Sequence, residues 1–74
     1  MLFEEIRDII CEQLGVEKDG ITLETTFEDL GADSLDLFQV VIELEEKFDI
    51  QIEEVEKLKS LKDAVEYVKN KTNN

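Results

Sequence analysis

Three stretches of this chain repeat their apolar residues at the spacing of an α-helix, and no other segment carries a comparable period. In the first, Phe3, Ile6, Ile10 and Leu14 fall at i, i+3, i+7 and i+11, with Leu2 and Ile9 on the same side. At about 100° per residue these positions share one helical face. Gly15 follows Leu14 directly, as a C-cap glycine should, and Glu4, Glu5 and Asp8 sit early, where the helix dipole favours negative charge. The second stretch runs from Ser34 to Phe48, with Asp33 placed to cap it and Asp36 three residues later in an approximate capping-box position. The third runs from about Leu61 to Lys69; Ser60 and Asp63 form an S-x-x-D start, and Leu61, Ala64, Val65 and Val68 form one face. Lys69 and Lys71 complement its C-terminal dipole. Between the second and third stretches, Glu53 to Lys59 has room for a single short turn of helix. The pattern predicts an all-α bundle of three main helices in one domain spanning residues 1–74.

The first two helices are joined by Gly15 to Asp33, an interval with little periodicity and long for so small a domain. Ile21, Leu23, Phe27 and Leu30 are expected to pin it to the core. Gly20 to Leu23 alternates only briefly and no hairpin turn follows, so no strand is expected there. Residues 72–74 are expected to fray.

Composition enters as a test of this reading and as a filter on function. Eight Lys and Arg face 20 Asp and Glu, for a net charge of −12, and aromatics are few. Such a balance is also a mark of disorder, and the helical periodicity decides against it. The acidity excludes electrostatic binding of DNA or RNA, which needs clustered Lys and Arg, and opposes docking on anionic lipid. There is no His, the commonest general base and metal ligand. A single Cys excludes an internal disulfide framework and fits a reducing cytoplasm. No apolar run approaches the roughly 18 residues of a membrane span, and no basic segment leads an apolar one, so no membrane insertion is expected.

The central helix carries two apolar stripes. Leu37, Val41, Leu44 and Phe48 form a core face with Val40 on its margin, whereas Leu35, Phe38 and Ile42 form a second stripe on another side, flanked by Gln39, Glu46 and Asp49. The second stripe either widens the buried face under the long loop or is a docking strip whose apolar anchors supply affinity while bordering acids steer a basic partner. The charge map favours docking. From Asp19 to Glu46 there is no Lys or Arg, but there are nine acids: Asp19, Glu24, Glu28, Asp29, Asp33, Asp36, Glu43, Glu45 and Glu46. Acidity serving only solubility accounts for the total and leaves this gap unexplained.

Catalytic chemistry of the chain's own is hard to place. Without His no Ser-His or Cys-His pair exists. Cys11 projects to the edge of the first helix and reads as a packing or surface residue. Asp29, Asp33 and Asp36 lack the spacing of a calcium loop. One constellation stands out: Asp29-Leu30-Gly31-Ala32-Asp33-Ser34-Leu35. Gly31 permits a tight turn, and Ser34 falls at the start of the central helix, beside the cap and the second stripe. A phosphate attached there would meet free N–H groups and the positive end of the dipole, although serine is common at helix starts for purely local reasons.

The run from Asp29 to Asp36, Asp-Leu-Gly-Ala-Asp-Ser-Leu-Asp, resembles the phosphopantetheine-attachment motif of acyl carrier proteins. The resemblance continues through Glu43-Leu-Glu-Glu-Lys-Phe-Asp49 and back to Glu12-Gln-Leu-Gly-Val16, so it covers nearly the whole chain in order. It implies a four-helix bundle with three main helices, a short third helix and a long first loop. It also implies a carrier without catalysis of its own: Ser34, flanked by Asp33 and Leu35, accepts 4′-phosphopantetheine from coenzyme A through a separate phosphopantetheinyl transferase. The arm's thiol then holds growing fatty acyl chains as thioesters. The surface read by fatty acid synthesis enzymes, which carry basic docking patches, would comprise Leu35, Asp36, Phe38, Gln39, Ile42, Glu43 and Glu46. A stand-alone, monomeric, cytoplasmic carrier of fatty acid synthesis is the expectation, with no metal site. A specialised carrier for polyketide, lipid A or D-alanine transfer and an unmodified acidic helical adaptor are the alternatives. Two departures bear on detail: Gln39 stands where many members carry an acid, and the interval from Ile52 to Leu61 is shorter than usual and lacks a proline after Ile52.

Overall fold

The computed structural model of the chain describes residues 1–72, within which three α-helices and one 3₁₀ turn follow in order. They are α1 (Leu2–Leu14), α2 (Ser34–Phe48), a 3₁₀ turn at Val55–Lys57, and α3 (Leu61–Thr72). Among the described residues there is no strand; an isolated bridge pairs Thr26 with Ser60. The expected all-α bundle is therefore present. The single short turn expected between Glu53 and Lys59 is the 3₁₀ turn at Val55–Lys57, flanked by the buried Ile52 and Leu58.

Local chemistry explains where each helix starts and stops. Gly15 ends α1 in the left-handed conformation at φ 68°, its N–H donating to the Cys11 carbonyl, a conformation glycine adopts without a Cβ clash. Asp33 and Asp36 form a complete capping box at the start of α2. Ser60 and Asp63 do the same for α3: Asp63 N–H donates to Ser60 Oγ (3.3 Å) and Ser60 N–H to Asp63 Oδ2 (3.1 Å). Helix α3 runs past the expected Lys69 to Thr72, whose hydroxyl donates to the Val68 carbonyl (2.8 Å). Thr72 is thus held in the helix where fraying was expected, and Asn73 and Asn74 lie outside the described residues.

The core gathers Ile6 and Ile10 from α1, Val40, Val41 and Leu44 from α2, and Leu61, Ala64 and Val68 from α3, closed by Phe27, Ile52 and Leu58. Two side chains depart from the expected face of α2. Val40 is fully buried and belongs to the centre of the face, in one cluster with Ile6 and Ile10 of α1 and Leu61 and Val68 of α3. Leu37 is only half-buried, because its side of the helix faces a groove beside the 3₁₀ turn. Cys11 is likewise inside, not at the edge: it is 3% exposed with Sγ 3.8 Å from the Glu17 carbonyl, and burial pushes its thiol pKa up. A raised pKa leaves the protonated, unreactive form dominant at neutral pH.

The long loop is pinned differently from the sequence expectation. Phe27 is buried and Ile21 and Leu30 are half-buried against the core, as the pattern implied. Leu23, by contrast, is 42% exposed, and its contribution comes from the backbone. The carbonyls of Leu23 and Thr25 accept from Lys62 N–H (2.9 Å) and Leu61 N–H (3.0 Å), and Phe27 N–H donates to the Lys59 carbonyl (2.9 Å). The loop thus satisfies first-turn N–H groups of α3 that have no partner within the helix. At the loop's start, the Asp8 carboxylate lies 3.3 Å from the Lys18 ammonium and 3.1 Å from the Arg7 guanidinium. Lost solvation raises the Asp8 pKa, but the two cations outweigh it and hold the carboxyl below its ordinary value.

Candidate functional site

The approach to α2 is a tight sequence of turns. Thr26 and Asp29 bond reciprocally, Thr26 N–H to Asp29 Oδ2 (3.2 Å) and Asp29 N–H to Thr26 Oγ1 (2.9 Å). The Phe27 carbonyl then accepts from both Leu30 N–H (3.1 Å) and Ala32 N–H (3.0 Å). Gly31, at φ 75°, turns the chain out of this knot, and Asp33 enters α2 in an extended conformation. Because Phe27 is buried, the knot rests on the core and fixes where α2 begins.

At that corner the work of capping falls on the aspartates. Asp33 Oδ1 accepts from Asp36 N–H (2.9 Å), and Asp36 Oδ2 accepts from Asp33 N–H (3.3 Å). Ser34, the first residue of α2, is exposed, and among the described residues its hydroxyl makes no hydrogen bond. The serine usually placed at a helix start serves as a cap; here its neighbour does that job, and the Ser34 Oγ is left toward solvent. The N–H groups of Ser34 and Leu35 have no acceptor among the described residues either, so the corner offers two free donors and the positive end of a 15-residue helix.

Ser34 opens onto a groove of about 220 Å³ lined also by Leu37, Phe38, Val55 and Glu56. A second groove of about 450 Å³ adjoins it, sharing Leu37, Val55 and Glu56 and adding Phe27 and Leu58 at its floor. The sequence did not single out Val55, and it placed Leu37 in the core face of α2 and not beside a groove. The available signal was small: Val55 is one apolar residue in the acidic run Glu53-Glu54-Val55-Glu56, and Leu37 follows Ser34 by three positions, so both share a side of α2.

The second stripe of α2 lies on the surface and does not underlie the loop. Leu35 is 75% exposed, Phe38 52% and Ile42 44%. Gln39, Glu46 and Asp49 are exposed around it. Asp36 is half-buried and engaged in the capping box. Glu43 is half-buried and lies across the helix beside Asp8, Ile9, Glu12 and Gln13 of α1, so it borders the strip on its α1 side. Among the described residues, none of the nine acids from Asp19 to Glu46 forms an ion pair; the four pairs present involve Glu4, Asp8 (twice) and Glu54. Three large apolar side chains rimmed by unpaired carboxylates have the composition of a recognition surface for a cationic partner.

Comparison with known proteins agrees with this arrangement. A family model described as the phosphopantetheine attachment site matches residues 4–68. An acyl carrier protein of Streptococcus pyogenes serotype M3 is 55% identical over 71 residues, covering 96% of each chain. One from Lactococcus lactis subsp. cremoris is 48% identical over 69 residues, covering 93% of this chain and 94% of that one. The crystal structure of an acyl carrier protein from Thermotoga maritima superposes with a TM-score of 0.85 at 31% identity, covering 97% of this chain and 87% of that one. With the helical order, the exposed serine at the start of α2 and these similarities all in agreement, the chain belongs to the acyl carrier protein family.

Proposed function

We propose that this chain carries fatty acyl groups on a 4′-phosphopantetheine arm attached to Ser34, and that it presents them to fatty acid synthesis enzymes through the exposed strip of α2. The observation that carries the reading is the uncommitted Ser34 hydroxyl: solvent-exposed, relieved of capping by Asp33, and opening onto an apolar groove. The residues present suit the group. A phosphodiester on Ser34 Oγ would lie beside the free N–H groups of Ser34 and Leu35, while the carboxylates of Asp33 and Asp36 are turned onto the backbone. The bound arm supplies a thiol, which the chain itself lacks in reactive form, its one Cys being buried with a raised pKa.

Loading requires a separate phosphopantetheinyl transferase. The Ser34 Oγ–phosphorus bond forms as the phosphoanhydride bond of coenzyme A breaks, adenosine 3′,5′-bisphosphate departs as the leaving group, and the hydroxyl proton passes to the transferase. Leu35, Phe38 and Ile42 would anchor each partner, with Gln39, Glu43 and Glu46 around them. Such a partner would present Lys and Arg, and attraction to the unpaired acids would speed encounter without demanding tight binding. Fast release is what a shuttle needs, and no helix among the described residues is long and apolar enough to cross a membrane and tether it there.

The test is intact-mass spectrometry after incubation with coenzyme A and a broad-specificity phosphopantetheinyl transferase. The wild-type chain should gain one phosphopantetheine and Ser34→Ala none. No gain, or a gain that survives Ser34→Ala, would refute the assignment.

A further inference from the structure

The two adjoining grooves beside Ser34 share Leu37, Val55 and Glu56; at the Ser34 end the other lining residues are Ser34 itself and Phe38, and the larger groove adds Phe27 and Leu58 with Thr26, Glu28 and Lys59. Glu56 is, among the described residues, the only ionisable side chain lining the groove at the Ser34 end. Among the described residues it forms no ion pair; the neighbouring Lys57 instead reaches Glu54 at 3.1 Å. In the larger groove Lys59 is accompanied by Glu28, which offsets its charge, so Glu56 leaves a net negative charge there too.

The backbone that carries Glu56 is held at both ends. On one side, Ile52 N–H donates to Glu45 Oε2 (2.9 Å) and Glu53 N–H to the Tyr67 hydroxyl oxygen (3.0 Å). On the other, Lys59 N–H and Ser60 N–H both donate to Asp63 Oδ2 (3.0 and 3.1 Å). The 3₁₀ turn between these anchors is closed by Lys57 N–H to the Glu54 carbonyl and Leu58 N–H to the Val55 carbonyl, each 3.0 Å. Val55 and Glu56 are therefore presented together at the groove as a fixed pair, an apolar wall beside a carboxylate.

We propose that Glu56 is a specificity-determining residue that admits acyl chains with an uncharged end to the groove and keeps chains ending in a carboxylate outside it. The inference rests on the carrier reading above and specifies the cargo class. An alkyl end entering between Leu37, Phe38 and Val55 leaves water without losing any polar contact. A carboxylate end would have to shed its hydration in an apolar groove while passing a second, uncompensated negative charge. Chains of the first kind would be sheltered by the carrier, and those of the second would remain presented to solvent and to the next enzyme.

Wild type and Glu56→Gln, each loaded at Ser34 with an octanoyl or an octanedioyl group, give the test. The two cargoes have the same length and differ in the terminal carboxylate. Two readouts are taken at neutral pH: methyl NMR shifts of Leu37 and Val55 relative to the unacylated arm-bearing protein, and the rate at which hydroxylamine cleaves the cargo. In wild type, octanoyl should shift the methyls and be cleaved slowly, whereas octanedioyl should do neither. Glu56→Gln should leave octanoyl unchanged but slow octanedioyl cleavage by about two- to fivefold, the scale of one exposed charge–charge interaction, with the methyl shifts appearing alongside. Identical octanedioyl behaviour in both proteins would overturn the proposal, as would an equal change for both cargoes, which would make Glu56 merely structural. If neither cargo shifts the methyls of a correctly loaded protein, this inference fails and the carrier reading stands. If Ser34 takes no arm at all, by intact mass, both fail.

Discussion

Two adjacent residues at the start of α2 divide what is usually one job. Asp33 supplies the cap through its hydrogen bond to Asp36 N–H, and Ser34 is left with an unbonded, exposed hydroxyl. Their substitutions should therefore separate cleanly. Asp33→Ala should cost about 1 kcal/mol of folding stability, the usual worth of an N-cap, and Ser34→Ala should stay within about 0.5 kcal/mol of wild type, as surface changes do. Urea unfolding followed by circular dichroism measures both. A large loss in Ser34→Ala would mean that the serine has a structural role and that its freedom for modification is overstated. This division was readable from the sequence, because an aspartate directly before the serine and another three residues on form a capping box at known spacing.

The same contrast recurs on a larger scale along α2, which buries one face and exposes apolar side chains on another. Leu44 is fully buried whereas Ile42, two residues away, is 44% exposed. Leu44→Ala should cost about 2–5 kcal/mol through lost burial and the cavity left behind. Ile42→Ala should change stability little and instead weaken binding to a cationic partner enzyme, read by surface plasmon resonance with a synthase component. An equal loss of stability in both variants would mean that the strip is part of the core. The helical elements themselves were legible from apolar spacing, since a period of 3.6 is written locally. What spacing could not convey was which neighbour would cover each margin of a face. Val40 proved central because it joins the buried cluster with residues of α1 and α3, and Leu37 proved half-open because it lines a groove beside the 3₁₀ turn. The anchoring of the long loop was equally hidden, because it runs through the backbone carbonyls of Leu23 and Thr25 and not through side chains.

At the scale of the whole molecule, a net charge of −12 is confined to a body with a radius of gyration of 11.0 Å. That radius is about one Debye length at 0.1 M salt, so at low salt most of the carboxylates feel one another. Four ion pairs among the described residues, all at or near the chain's first helix or the 3₁₀ turn, leave the acidic middle of the sequence uncompensated. The midpoint of thermal unfolding should rise with added NaCl and rise more steeply per mole with a divalent cation. A gain of about 1 kcal/mol would appear as roughly 4–8 °C in a domain of this size. Differential scanning calorimetry across a salt series would show it, and a flat response would mean that the acids are paired in solution. The proposal is that Ser34 bears the arm and that the arm bears fatty acyl chains. The most direct measurement is tandem mass spectrometry of the Ser34 peptide from protein isolated from the cells that make it. The account predicts 4′-phosphopantetheine on Ser34 with fatty acyl chains on part of the population. An unmodified Ser34 throughout, or an arm carrying only an amino acid, would contradict it.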